Sequence, residues 1–286
     1  MPEGPSIVIL KEEAAKFEGQ TILSATSTSQ ALDLNRIVNQ KVVALRSWGK
    51  HFLIELPRIS IRVHFLLFGS YLIDAEKPRE PKLGLTFRNG RLNLYAGSVH
   101  FIESDLNTVY DWSADVMAPQ WDAARARKKL RALPSLLACD AILDQSIFAG
   151  AGNIIKNEVL FRTRIHPAST MGALPGAKLR QLTQDVRDYS FEFLRWKKAG
   201  VLKRHWLAHT KRICPRCGVP LLEQELGRTR RRSFFCNRCQ IKYGRGSGST
   251  NKKTRNVSRA KGTAKIKRMV RTTTSSKKVS KRTKQA

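Results

Sequence analysis

Apolar and polar positions divide the chain into one leading helix, a run of short strands and a second half with helical spacing. Apolar side chains over 6–18 follow a helical period, which Gly19 ends. From there to about residue 103, short β-rich runs alternate with turn signals, including the tight turn 48–50 and an Asn-Gly pair at 89–90. Many short strands behind a single helix predict an N-terminal β-sandwich. The predicted strands are 21–27, 41–47, 51–56, 61–66, 71–73, 83–87 and 91–95.

The second half begins after a connector rich in Pro, Trp and Asp at 110–121. Apolar spacing then predicts helices over 122–132, 135–146, 152–161 and 176–198. We therefore predict an α+β protein in which a β-sandwich with a leading helix is followed by a helical domain. The predicted parts are a sandwich domain at 1–110, a linker at 111–121, a helical domain at 122–204, a cysteine-rich module at 205–243 and a tail at 244–286.

Four cysteines near the end of the chain have the spacing of metal ligands. They form two C-x2-C pairs separated by eighteen residues: Cys214, Cys217, Cys236 and Cys239. Two residues between paired cysteines let both thiolates reach one tetrahedral ion, and two such pairs close a structural site with no open position. We predict one structural Zn2+ that holds a basic hairpin at 227–235, with a redox pair or disulfides as the alternatives. Cys139 lies in an apolar stretch and is predicted to pack as a small hydrophobe in a helix.

The net charge of the chain narrows the range of possible partners. The chain carries 53 Lys and Arg against 22 Asp and Glu, a net charge of +31. Such an excess favours nucleic acid as the partner and an anionic membrane surface as the second choice. No apolar run is long enough to span a membrane. Nothing at the N-terminus resembles a signal peptide, so we expect the cytoplasm or nucleoid, or the nucleus in a eukaryote.

The basic charge is concentrated, but not confined, at the C-terminal end. Residues 244–286 hold fifteen Lys and Arg, no acid and few large apolar residues, which predicts a disordered tail. The remaining 243 residues keep +16 of the +31, so the folded part is basic in its own right. The tail either adds affinity for nucleic acid or only solubilises the chain.

Three short features carry candidate chemistry. Removal of Met1 would leave the secondary amine of Pro2, which is partly unprotonated near neutral pH and attacks aldehyde-level carbons, and Glu3 beside it could move protons. A glycine-rich turn at 148–152 leads into a predicted helix, whose free N–H groups suit a phosphate, although such turns are also ordinary packing devices. The apolar run 66–68 ends a predicted strand before Gly69 and is equally typical of a core strand.

Five motifs together resemble the formamidopyrimidine-DNA glycosylase/endonuclease VIII family, bifunctional enzymes of base-excision repair. They follow the family's order over about residues 2 to 242. The motifs are Pro2-Glu3-Gly4-Pro5, Trp48-Gly49-Lys50, the strand end 64–69, the segment 144–161 and the four cysteines. The resemblance implies an N-terminal β-sandwich, a helix–two-turn–helix domain and a zinc-finger β-hairpin, with DNA bound in the cleft between the domains.

The resemblance also implies the role of each site residue. Pro2 would attack C1′ of the damaged nucleotide to form an iminium, and Glu3 would be the general acid/base. Lys50 at its hairpin tip would contact the phosphate and base side of the lesion, unless it is a solvated surface lysine. The residues implied to grip the flanking phosphates are His64, Asn153 and Arg231, the last chosen over its neighbours Arg230 and Arg232 for its spacing to Cys236.

The family pattern further implies a wedge that fills the gap left by the everted base. Its residues would be Leu66, Leu67 and Phe68, for which a place in a core strand is the alternative. Apolar side chains inserted into the base stack offset part of the cost of unstacking.

Two departures from the family pattern affect which substrate is expected. Ser6 stands where the family usually has a second acid, and the segment 199–213 is shorter than the purine-capping segment of the 8-oxoguanine enzymes. The short segment and the opening motif resemble the endonuclease VIII branch, which prefers oxidised pyrimidines and abasic sites.

The sequence therefore predicts a monomeric DNA glycosylase with abasic-site lyase activity, whose partner is double-stranded DNA with damaged bases or abasic sites. It would need no cofactor beyond one structural Zn2+. A catalytically impaired relative that only binds damaged DNA is the main alternative, since Ser6 departs from the pattern. A zinc-ribbon transcription or RNA-binding protein is the other, but it would have no reason to keep the Pro2 amine.

Overall fold

A computed structural model describes residues 2–30, 32–95 and 97–244. The predicted basic tail therefore lies, apart from Gly244, outside the described residues. No helix within those ranges is both long enough and apolar enough to cross a bilayer.

The N-terminal half is a sandwich of two four-stranded antiparallel sheets behind a leading helix, α1, Gly4–Glu13. One sheet has the order β1-β6-β7-β5 and the other β2-β3-β4-β8. Their inner faces share an apolar core with α1, because alternate strand residues point inward. The strands are β1 Ser24–Thr26, β2 Ala44–Trp48, β3 His51–Glu55, β4 Ser60–His64, β5 Ser70–Ile73, β6 Leu83–Phe87, β7 Gly90–Tyr95 and β8 Ser98–Ile102. The predicted sandwich is confirmed.

One local prediction for this half was wrong, and one strand was missed. The leading helix starts earlier than 6–18 because Pro5 fits its first turn, and it ends at Glu13 before a separate 3-10 turn at Ala15–Phe17. Strand β8 was not predicted, since its run is short and interrupted by the exposed His100. Its place is fixed by pairing with β4 rather than by its own pattern.

The C-terminal half is helical, as predicted. A short helix, α2 Leu106–Val109, follows the sandwich, and then come α3 Ala123–Arg131, α4 Ala138–Leu143, α5 Asn153–Arg162 and α6 Gly176–Lys198. Helix α4 is six residues long, so half of the predicted helix 135–146 is not helical. Helix α6 buries one apolar stripe against α3 and α5, with residues such as Leu182, Val186 and Tyr189 at helical spacing.

The cysteine-rich module is an antiparallel hairpin, β9 Leu222–Leu226 with β10 Arg231–Phe235. It contacts the helical half mainly through α5. The N-terminal and helical halves also meet directly, since α1 packs on α6 and the Gly4 N–H donates to the Gly150 carbonyl at 2.9 Å. This contact brings the start of the chain to the turn that precedes α5.

Candidate active site and metal centre

A cleft of about 310 Å³ lies where the two halves meet. It is lined by eight of the residues predicted for the site: Pro2, Glu3, Lys50, His64, Leu66, Leu67, Asn153 and Arg231. The other lining residues are Trp48, His51, Leu143, Gln145, Gly152 and Thr229. Residues more than 200 positions apart in sequence thus share one surface.

Glu3 is fully buried at the N-terminus of α5. Its carboxylate accepts hydrogen bonds from the backbone N–H groups of Gly152, Ile154 and Ile155 at 3.1, 2.8 and 3.3 Å. These are among the donors that a helix leaves free in its first turn. A Cβ on Gly152 would lie 2.5 Å from Glu3 Cδ, so the glycine makes room for the carboxylate. The predicted phosphate-binding turn therefore binds a carboxylate of the chain itself.

Burial raises the pKa of Glu3, while Lys50 and the three N–H groups oppose that shift. Burial lowers the pKa of Lys50, which Glu3 opposes and Arg231 reinforces. The carboxyl group therefore has an increased tendency to hold a proton, and the amine a decreased one. A pair of groups shifted in this way is suited to proton transfer.

Lys50 sits at the tip of the β2–β3 hairpin, as predicted. Strand residues Trp48 and His51 pair directly, so Gly49 and Lys50 form a two-residue turn. Gly49 has a φ of 54°, which glycine adopts without strain. The turn is anchored by a hydrogen bond of 3.1 Å from the Gly49 N–H to the Asp115 carboxylate.

His64 ends strand β4 next to this hairpin. Its ring packs edge-on against His51 with the centroids 5.1 Å apart. Burial and the nearby Lys50 lower the pKa of His64, which favours the neutral imidazole. A neutral ring can still donate one N–H to a phosphate oxygen.

The structure separates the three adjacent arginines of the hairpin. Arg230 and Arg232 have ion pairs with Glu225 and Glu223 at 3.5 and 3.1 Å, whereas Arg231 lines the cleft. Of the three, Arg231 is the one that lines the cleft, and its contact with a phosphate stays a prediction.

Asn153 and Lys156 connect α5 to the backbone of β10. The Asn153 amide donates to the Arg232 carbonyl at 3.1 Å, and Lys156 Nζ donates to the same carbonyl and to Ser233 Oγ at 3.0 and 2.9 Å. Lys156 is fully buried, and burial lowers its pKa to about 8. Sequence reasoning missed Lys156, although a lysine inside an apolar helix was a signal that it has buried partners.

The predicted wedge residues lie on a turn between β4 and β5 and are exposed. Leu66, Leu67 and Phe68 have 51%, 39% and 91% of their surfaces exposed. The Gly69 N–H closes the turn onto the Phe65 carbonyl at 2.9 Å, and a side chain at 69 would clash with that carbonyl. The alternative of a core strand is therefore wrong, and three apolar side chains project beside the cleft.

The four predicted cysteines form one cluster, with all sulfur atoms within 4.8 Å of one another. Cys214 Sγ and Cys239 Sγ are 3.8 Å apart, far beyond the ~2.05 Å of a disulfide. Tetrahedral ligands at ~2.3 Å from a metal would be separated by about 3.8 Å, so the donor set fits a metal ion. Cys139 is buried in α4 and takes no part, as predicted.

The segment 199–213 is held against the helical half. The buried Glu158 of α5 accepts the N–H groups of Leu207, Ala208 and His209 at 2.8, 3.0 and 2.7 Å. All residues of this segment are described, and none lines the cleft.

Two family models match the chain. The formamidopyrimidine-DNA glycosylase N-terminal domain matches residues 1–101, and the formamidopyrimidine-DNA glycosylase H2TH domain matches 114–202. Similar proteins include Endonuclease 8-like 3 of Xenopus laevis, 28% identical over 77% of this chain, and Formamidopyrimidine-DNA glycosylase of Aliivibrio fischeri strain MJ11, 23% identical over 84%. The chain spans 38% of the length of the first and 98% of the second.

Solved structures show the same fold. A Lactococcus lactis formamidopyrimidine-DNA glycosylase, non-covalently bound to DNA containing an abasic site, is 22% identical with a TM-score of 0.74. The alignment covers 84% of this chain and all of that one. Together with the two family models and the similar sequences, the fold leads to one assignment: the chain belongs to the formamidopyrimidine-DNA glycosylase/endonuclease VIII family of DNA glycosylases.

Proposed function

We propose that this protein excises oxidised bases from DNA and then cleaves the abasic strand through an iminium on Pro2. The observation that carries the proposal is the contact between Glu3 and the amides of α5, which fixes the neighbouring Pro2 at the wall of the cleft. The same cleft presents Lys50, His64 and Arg231, whose N–H groups suit an anionic backbone.

The reaction uses the Pro2 amine after removal of Met1. Its nitrogen forms a bond to C1′ of the damaged nucleotide, and the bond from C1′ to the base breaks with its electron pair, so the base leaves and takes up the proton that the amine loses. Glu3 delivers a proton to O4′ as the bond between C1′ and O4′ opens, which gives the iminium. Its raised pKa favours the protonated form that this step requires.

Strand cleavage follows from the iminium. Loss of a proton from C2′ expels the 3′-phosphate, and a second elimination expels the 5′-phosphate. Water then hydrolyses the iminium and restores the proline amine. In this proposal Glu3 takes and returns these protons, and Lys50 holds the phosphate side of the lesion.

The wedge turn supports eversion of the base. Leu66, Leu67 and Phe68 expose apolar surface next to Pro2 and fill the gap in the stack. Asn153 contributes from the start of α5, although one of its amide hydrogens is already used on the Arg232 carbonyl.

For the substrate, we propose oxidised pyrimidines ahead of 8-oxoguanine. The support is the segment 199–213, which is short and pinned by Glu158 away from the cleft lining. The segment 199–213 therefore does not form a cap over a flipped purine. Excision of thymine glycol or dihydrouracil should therefore be faster than excision of 8-oxoguanine opposite cytosine, and an equal or faster rate for 8-oxoguanine would contradict the assignment.

For the metal, we propose zinc held by Cys214, Cys217, Cys236 and Cys239. Four thiolates suit Zn2+, and a closed set of four leaves the ion a structural role. We further propose that the protein acts as a monomer, in the cytoplasm or nucleoid, or in the nucleus of a eukaryote.

Borohydride trapping on duplexes with one defined lesion tests the activity. An iminium is reducible, so the wild-type protein should become covalently fixed to abasic-site DNA, and intact mass should first establish that Met1 is absent. Pro2→Gly and a protein that retains Met1 should trap little. Undiminished trapping by the Met1-retaining protein would indicate a lysine nucleophile instead. DNA binding without any trapping would favour the alternative that Ser6 suggests, namely a catalytically impaired relative that only binds damaged DNA.

A further inference from the structure

The segment 114–118, between the sandwich and α3, runs between the Lys50 hairpin and the glycine turn that precedes α5. The Val116 N–H donates to the Ala149 carbonyl at 3.1 Å, and the Ala149 N–H donates to the Ala114 carbonyl at 2.8 Å. From the other side, Arg187 of α6 donates to the carbonyls of Val116 and Ala118 at 3.1 and 3.0 Å. The segment is therefore fixed to the helical half of the protein.

Asp115 extends this attachment to the N-terminal half. Its side chain is buried, with 2% of the residue exposed. One carboxylate oxygen accepts the Gly49 N–H at 3.1 Å, and the other accepts the Met117 N–H at 2.9 Å. Both carboxylate oxygens therefore accept a hydrogen bond, one from the hairpin tip and one from the segment 114–118.

The tip that Asp115 holds also packs closely on the turn before α5. A Cβ on Gly49 would lie 3.0 Å from the Gly150 nitrogen and 3.1 Å from Ala149 Cβ. The same turn continues into Gly152, which donates to Glu3. A shift of the hairpin by a fraction of an ångström would therefore change the position of Lys50 relative to Glu3.

A buried carboxylate is a costly means of holding a turn. Burial raises the pKa of Asp115 to about 6, and the two N–H groups and the more distant Lys11 and Arg187 only partly oppose this. Because this pKa is above the unfolded value, the ionised form lowers the stability of the folded state at neutral pH, and that loss fades as the pH falls below about 6. A role in stability alone would be better served by a neutral side chain.

We propose that Asp115 is a positioning residue, which orients the hairpin tip so that Lys50 meets the lesion phosphate. This inference rests on the proposed function, since Lys50 has a phosphate to meet only if the protein acts on DNA. Asp115 itself does not line the cleft.

The variant Asp115→Asn tests it. Asparagine keeps the shape but has one acceptor oxygen, so its NH2 group must face one of the two N–H donors. We expect the rate of single-turnover borohydride trapping on abasic duplex to fall about tenfold at pH 7.5, with no loss in Tm. Asp122→Asn is the matched control, because Asp122 accepts two backbone N–H groups at the exposed start of α3. It should keep the wild-type rate.

A double-mutant cycle separates positioning from a general structural role. Affinity for a duplex with a tetrahydrofuran abasic analogue is measured for the wild type, Asp115→Asn, Lys50→Met and the double variant, since binding is measurable even without chemistry. If Asp115 acts through Lys50, its substitution should weaken binding in the wild type and change it little in the Lys50→Met protein.

Three results would overturn the inference: a wild-type trapping rate for Asp115→Asn, equal effects of the substitution in both backgrounds, or a fall in Tm that accounts for the lost rate. A wild-type protein that neither traps nor prefers the abasic analogue would instead contradict the proposed function. The two failures are thus distinguishable.

Discussion

Two hairpins each bring one cation to the same cleft, and they are built in opposite ways. The β2–β3 hairpin carries Lys50 and belongs to a sheet whose strands pack into the sandwich core. The β9–β10 hairpin carries Arg231, and strand β9 is exposed along most of its length. One cation is thus supported by an apolar core and the other by a module with little core of its own.

The second hairpin replaces apolar burial with polar anchors. The four-cysteine cluster lies at its base, Lys156 holds its carbonyls, and the Asp140 carboxylate accepts the Arg228 N–H at 2.9 Å in its turn. An isolated two-stranded hairpin is only marginally stable in water, so these contacts determine whether Arg231 reaches the cleft. The comparison indicates that different treatments should displace Lys50 and Arg231 from the cleft.

The largest difference is expected on removal of the metal. Chelation, or Cys236→Ser, should unfold the β9–β10 hairpin and reduce affinity for abasic duplex by at least about 100-fold, because metal binding and local folding are coupled. The sandwich should stay folded, which hydrogen exchange of β2 and β3 would measure. Cys139→Ser, outside the cluster, should change neither property. Full affinity in metal-free protein would show that the hairpin needs no ion.

A smaller effect is expected from Lys156→Met. The substitution leaves the Arg232 carbonyl with one donor fewer and should let Arg231 move, so affinity should fall about tenfold while one metal per chain is retained. Metal content and affinity measured on one preparation test this. Lys178→Met provides a control, because Lys178 also donates to a backbone carbonyl, but its partners are Thr163 and Gln181 rather than the hairpin. Loss of the metal together with affinity would mean that Lys156 is needed for the fold of the module.

A third effect, on stability rather than on affinity, is expected from acid, which should act on both hairpins. His51 in β3 and His209 beside the second hairpin have their pKa values lowered to about 4, in each case chiefly by burial. Since these values are below the unfolded 6.5, the stability from the neutral rings is full above pH 6.5 and falls as the pH drops towards 4. By pH 5 each histidine should cost at most about 2 kcal/mol, which Asp115 partly offsets.

Denaturant unfolding at pH 7 and pH 5 measures this dependence. His209→Gln should reduce the loss of stability between the two pH values, whereas His205→Gln, an exposed position, should not. If the His209 variant keeps the full acid sensitivity, the imidazole is not buried in solution as described.

Local pattern was enough to predict most elements, and several residues named from the motifs share one cleft, while their roles stay predictions. Alternation identified β6, whose observed bounds equal the predicted 83–87, and the resemblance placed Glu3 and Lys50 in one cleft. The strand and the residues that the local pattern did not predict depend on contacts with partners distant in sequence. Asp115 is 66 positions from Gly49, and Lys156 is 76 from Arg232, so no local periodicity encodes either contact. Strand β8 was missed for the same reason, since β4 fixes its place.

The contact between Glu3 and α5 has a consequence for the order of events during synthesis. Glu3 is made first, but its donor at Ile154 lies 151 positions later. While the chain is on the ribosome, Glu3 emerges long before the amides that fix its carboxylate. The candidate site is therefore completed only after the turn before α5 has been translated and has docked. A chain that stops within the sandwich holds Glu3 without its donors, so the arrangement of the cleft depends on both halves of the protein.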